Sequence, residues 1–217
     1  MVIFPLIWAN LVVPNLGTVI SNAPINELLL GGILGFVWGI GGMMFGVSVG
    51  YIGMSLTYGI VMGLCSIAGA LVPFVIRFDA INPSSIPFII SGLIILALAV
   101  YVVTVAGLKR DKCLIERGNQ IEGIKTGSAF KSGLIIASVC GILSAALAIG
   151  FDNTAKIGEL AILEGALERN SALARWVVVL AGAYLMNAGY ALILLVKNKS
   201  YNTFSISGAS HAIKWSV

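Results

Sequence analysis

The groups in this chain that could do chemistry inside apolar surroundings are amides, hydroxyls and ring faces, not ions. Asn187 lies within the apolar run 176–196, with Tyr184 three residues before it and Tyr190 three after. On a helix that spacing brings all three onto one face. Trp38 and Phe45, seven apart, share a wall of another apolar run. Such a set suits a neutral, polyhydroxylated ligand, because amide and hydroxyl groups meet its hydroxyls while rings cover its C–H side. Ser66, Tyr101, Thr104, Ser138 and Ser144 are further candidates. Each has a plainer use too: an asparagine in lipid bonds across helices, and a ring faces lipid or a neighbour.

Catalytic chemistry lacks its parts. The single histidine, His211, stands in the polar end, and none of the nine acidic residues falls within an apolar run. There is no HExxH, GxSxG or P-loop and no paired intramembrane carboxylate, so no catalytic residue, metal ligand or cofactor is indicated. Cys65, Cys113 and Cys140 form no CxxC. No basic stripe with interleaved aromatics points to nucleic acid. Asp152, at the end of the run 133–151, is either a solvated interfacial carboxylate or a site of proton coupling.

The elements that must position these groups are membrane spans. Charged residues make up 10% of the chain and its mean hydropathy is +1.02, where soluble domains carry roughly 25% charge. The expectation is an all-α, polytopic helix bundle in a lipid bilayer. A span needs roughly 20 apolar residues. Residues 2–13 are too few and are closed by Pro14 and Asn15, so they read as the end of a span whose start is absent; they also lack the basic region of a signal peptide. Complete spans are expected at about 29–49, 54–76, 86–108, 133–151 and 176–196. This divides the chain into a first helical unit (1–108), a loop (109–131), and a second unit with a polar tail (132–217). The tail's composition makes the middle of a longer protein the simplest expectation. Residues 154–173, weakly amphipathic through Ile157, Leu160, Ala161, Glu164 and Glu168, read as a short surface helix.

Charge sets the orientation. Lys109, Arg110, Lys112, Arg117, Lys125, Lys131, Lys197, Lys199 and Lys214 fall on one side and outnumber Arg77, Lys156, Arg169 and Arg175 on the other. The 109–131 loop is therefore expected in the cytoplasm.

Within 28–76 one stripe organises the rest. At about 100° per residue, Gly31, Gly35, Gly39, Gly42, Gly46, Gly50 and Gly53 fall within about 100° of one another. Glycine in a lipid-embedded helix lets a neighbouring backbone approach. The stripe is either a packing seam or, at Gly39, Gly42 and Gly46, the wall of a cavity; the two are compatible. Its end, Gly50-Tyr51-Ile52-Gly53-Met54-Ser55, allows only a tight helical hairpin.

The run from Gly35 to Gly46, followed by Tyr51-Ile-Gly-Met-Ser-Leu56, resembles the signature of the L-rhamnose–proton symporters of the drug/metabolite transporter superfamily. Residues 133–145, then Asn187-Ala-Gly-Tyr190 and Val196-Lys-Asn-Lys199, resemble later parts of that family in order and spacing. The resemblance implies a ten-helix carrier of the bacterial inner membrane, with two inverted five-helix halves, taking up a methylpentose with a proton. Aligned so, the chain lacks the first helix, part of the second and the last three. Gly50 departs from the pattern, which usually has a basic residue before the hairpin tyrosine. A carrier for another small metabolite and a transport-inactive membrane scaffold are the alternatives.

Overall fold

The computed structural model describes residues 3–76, 82–116 and 127–200, and among them every regular element is helical. In lipid this is obligatory, since a helix satisfies its own backbone groups. The elements are α1 (Ile3–Val12), α2 (Leu16–Ser21), α3 (Ile25–Ile52), α4 (Met54–Ile76), α5 (Ile86–Glu116), α6 (Ser128–Ser144), α7 (Ala146–Asp152), α8 (Ala155–Leu163) and α9 (Glu168–Lys197). A 3-10 turn, Pro83–Ser85, leads into α5 and is capped by Asn82, whose Oδ1 accepts from Ser84 N at 3.0 Å. Five helical stretches are long and apolar enough to cross a membrane: Ile25–Ile52, Met54–Val72, Pro83–Arg110, Ser128–Leu163 and Glu168–Lys197. The chain is an all-α polytopic membrane protein.

Several boundaries differ from those expected. The third span continues beyond Leu108 to Glu116, so the start of the expected loop is helical. The 133–151 span is interrupted at Ala145, where α6 gives way to α7. Most consequential is the region 154–173. Here α8 ends at Leu163, Gly165 turns the chain at φ 94°, and α9 begins at Glu168, two turns ahead of Trp176. Nor does α8 lie free on the surface: Ile157 and Ala161 are fully buried with Ala9, Val13, Val19, Ala174 and Val178. Arg77, Arg117, Lys125, His211 and Lys214 lie outside the described residues.

Gly53 alone separates α3 from α4. Its φ of 81° and ψ of 165° belong to a region that only glycine occupies without strain. Its N–H donates to Val49 O at 3.0 Å, and the buried Ser48 and Thr57 hydroxyls meet across the turn at 3.3 Å. From there the two helices admit α6 between them. Gly141 of α6 faces Val61 and Leu64 of α4, while Gly41 of α3 faces Cys140 and Ser144. Cys140 Sγ donates to Gly41 O at 3.0 Å. Helix α9 takes the other side of α3, and α5 packs on α4.

Candidate functional site: a polar face beside a glycine seam

The glycine stripe divides halfway along α3. Gly31, Gly35 and Gly39 are buried. A methyl group at Gly35 would overlap the Val179 carbonyl of α9, and one at Gly182 would overlap the Gly32 carbonyl of α3. Both helices therefore touch backbone to backbone. A Cβ at Gly39 would lie 2.9 Å from Met186 Cβ. This position, expected to line a cavity, is instead filled by packing, because Met186 and Ala183 cover it.

One turn further the seam opens. Gly42 and Gly46 are exposed, and the nearest atom to a Cβ at Gly42 would be Asn187 Oδ1, at 3.8 Å. Among the described residues, nothing lies within 4 Å of a Cβ at Gly46 or Gly50. Asn187 is half-buried, and its Nδ2 donates to Ala183 O at 2.9 Å. That bond leaves the amide oxygen on the Gly42 side free to accept. Trp38 is half-buried; Phe45, also half-buried, meets Tyr58 edge-on at a centroid distance of 4.9 Å. Tyr190 is 37% exposed and Tyr184 47% exposed. The structure thus brings Gly42 to Asn187 and Phe45 to Tyr58, and leaves Tyr184 and Tyr190 with open ring surface. Of the hairpin residues, Met54 is exposed, Ser55 is half-buried, and Tyr51 packs against the Ile52–Leu56–Val61 cluster.

The opposite side of the α3–α9 seam holds a cavity of about 490 Å³, lined by Leu29, Ile33 and Phe36 with Val177, Ala181 and Leu185. No polar side chain lines it, so it offers a hydroxylated ligand nothing to bond. Phe36 and Trp38 are two residues apart, hence about 200° apart around the helix. The polar face and this apolar cavity are therefore separate.

A charged node closes the end of the bundle where α7, α8 and α9 meet. Arg175 of α9 donates through Nη2 to Phe151 O, and its guanidinium carbon stands 3.8 Å above the Phe151 ring. Phe151 in turn stacks on Trp176 at 4.6 Å. Asp152 and Glu27 lie close enough to interact with the Arg175 charge. Glu27 Oε2 also accepts from Lys156 N at 3.1 Å, placing a carboxylate at the positive end of α8. Gly158 makes room for the arginine stem: a Cβ there would sit 3.0 Å from Arg175 Cδ. The charge count alone puts Arg175 on the side opposite the 109–131 loop, ahead of the expected 176–196 span. The signal it carried was its place between Leu173-Ala174 and Trp176-Val177, an arginine embedded in an apolar run. Tyr58 was passed over as well, although Ser55, Tyr58, Met62 and Ser66 form one helical stripe.

A family model described as L-rhamnose-proton symport protein (RhaT) matches residues 1–211. Similar relatives include the L-rhamnose-proton symporters of Escherichia coli strain SMS-3-5 and of Escherichia coli strain UTI89. Each is 30% identical over 202 residues, covering 91% of this chain and 56% of the relative. The chain thus spans about half the length of the curated relatives it matches. No solved structure matches it. With that family model matching nearly its whole length, the chain belongs to the L-rhamnose-proton symport family.

Proposed function

We propose that this chain is the sugar-facing part of a secondary transporter that couples uptake of a neutral sugar, L-rhamnose or a similar methylpentose, to a proton. The observation that carries this reading is the pairing of Asn187 with the open Gly42, beside Trp38 and Phe45. That arrangement gives a bonding amide, two aromatic faces and no fixed charge, which is what an uncharged ring of hydroxyls calls for. The family described for its relatives is a sugar–proton symporter, not an enzyme. The proposed setting is the bacterial inner membrane, with the connection between α5 and α6 in the cytoplasm, where most basic residues fall. Asp152, at the outer end of α7 beside Arg175, is the proposed proton carrier.

Expression with the chain's flanking reading frame, in cells lacking their own rhamnose carrier, tests this. Labelled L-rhamnose should accumulate, and a protonophore should abolish accumulation. Trp38→Ala should lower uptake; normal uptake at normal expression would remove Trp38 from the site. Asp152→Asn should stop accumulation against a gradient while sparing sugar exchange at equilibrium. Gly50, where the family pattern is basic, favours a second reading as a carrier of another small metabolite. Thermal shifts of the purified protein against a panel of sugars and small metabolites would separate the two.

A further inference from the structure

The ring surface that begins at Phe45 continues onto α4. Phe45 and Tyr58 meet with their planes at 83°, and beyond Tyr58 helices α4 and α5 line an open cleft of about 370 Å³. Small-molecule sites fall within about 300–1,000 Å³. Two glycines on its floor bring the walls together: a Cβ at Gly63 would overlap the Val100 side chain, and one at Gly59 would sit 3.2 Å from Val103 Cγ1, so both valines stand directly against α4.

Its two walls differ in chemistry. From α4 come the hydroxyls of Ser55, Tyr58 and Ser66, with the apolar Met62 between the last two; from α5 come Leu96, Ala99, Val100 and Val103, all aliphatic. Ser66 donates its hydrogen to Met62 O at 2.8 Å, which leaves its oxygen the role of an acceptor. Tyr58 is 48% exposed, with its ring braced against Phe45. No lining residue is charged. One hydroxylated wall opposite one aliphatic wall matches a ring that carries hydroxyls on one part and a deoxy carbon on another.

We propose that this cleft is a second contact site for the sugar, where the α4 hydroxyls bond a ring hydroxyl and the α5 wall receives the methyl carbon. Tyr58 then sets affinity, and Val100 sets the preference for a 6-deoxy sugar over its 6-hydroxy counterpart. The assignment rests on the sugar-carrier reading above and deepens it.

The test is uptake of L-rhamnose and of L-mannose, which differs by a hydroxyl on C6, by the protein with its flanking reading frame. Val100→Thr keeps the shape of the side chain and adds a hydroxyl to the aliphatic wall. It should reduce the preference for L-rhamnose over L-mannose roughly tenfold, within the range that one hydroxyl in an apolar pocket commands. Tyr58→Phe keeps the ring on Phe45 and should raise KM for both sugars several-fold at unchanged maximal rate. Val102→Thr, at an exposed α5 position outside the cleft, should leave the preference as it was. If the parent protein transports L-rhamnose, and Val100→Thr and Tyr58→Phe both behave like the parent, the cleft assignment is overturned alone; a lipid tail in the cleft would give this outcome. A parent that binds neither sugar overturns the carrier reading, and the cleft assignment with it.

Discussion

The two halves of the α3 glycine stripe are built from the same residue at the same spacing, yet they do different work. At Gly31, Gly35 and Gly39 the missing side chain is replaced by an atom of a neighbouring segment: Thr154 Cγ2, the Val179 carbonyl and Met186. From Gly42 to Gly50 the space stays open among the described residues, with the Asn187 amide at its edge. The first half buys close helix contact; the second leaves room for something that is not protein. A glycine stripe therefore identifies a surface that can be approached, and only the helix opposite decides what approaches it.

The sharpest way to break this contrast is to add one methyl group to each half. Gly35→Ala drives Cβ into the Val179 carbonyl, and Gly182→Ala drives it into the Gly32 carbonyl. Neither obstacle is a side chain that can rotate away, so α3 and α9 must separate. Overpacking in a tight core costs about 1–3 kcal/mol and more where backbone must move; these variants belong at the upper end. Thermal unfolding in detergent should show a large drop in stability for both. A Gly35→Ala protein as stable as its parent would mean that the seam is looser than described.

Much of this was legible in the sequence, for physical reasons that also mark where legibility ends. Spans and hairpin follow from apolar length and from the short Gly50–Ser55 connection, which are local properties of the chain. Which glycines are filled depends on the crossing point of α3 and α9, set by Val179, Ala183 and Met186 more than 140 residues away. Nothing local to Gly39 distinguishes it from Gly42. Helix α9 starts before the expected 176; Glu168, Arg169 and Arg175 interrupt the apolar run from which the span's start is read. In the fold Arg175 has a carbonyl, a ring and two carboxylates around it, so its charge sits within a membrane helix.

That node belongs to the packed half, and removing it is the next largest expected effect. Arg175→Leu forfeits a charge-assisted hydrogen bond and a cation–π contact and leaves Asp152 and Glu27 without their shared cation. With the site partly solvated, the loss should be about 2 kcal/mol. Arg175→Lys should recover only part of this, because a lysine cannot lie flat over Phe151 while donating to its carbonyl. Chemical denaturation followed by Trp176 fluorescence would read both, since that indole stacks on the same ring. Equal stability for Leu and Lys variants would show that charge is irrelevant to the node and that only its packing counts.

In the open half the expected effects fall on binding. Gly42→Leu places a side chain into the gap beside Asn187, where the nearest atom to a Cβ is 3.8 Å away. Stability should change by less than about 1 kcal/mol, since glycine is also the poorer helix former. Sugar affinity should fall at least about tenfold, a loss of about 1.4 kcal/mol. Competition binding with labelled L-rhamnose measures it. A leucine that unfolds the protein would place Gly42 in the packed half, and one that leaves both stability and affinity untouched would remove Gly42 from the sugar face.

The smallest effect is expected at Gly46, and it discriminates best because the two readings predict opposite signs. If the stripe were one continuous seam, Gly46→Ala would resemble Gly35→Ala in miniature and destabilise the protein. With nothing within 4 Å of its Cβ, the methyl instead meets open space, and the helix gains from replacing glycine. The gain is up to about 1 kcal/mol in water, and less in lipid, where the helix is already enforced. Unfolding should therefore be unchanged or slightly later, with sugar affinity reduced by no more than a few-fold, since one methyl narrows the face without blocking Asn187. A measurable loss of stability at this position would mean that another helix lies against Gly46 in the assembled protein, and the open half of the seam would have to be redrawn to end at Gly42.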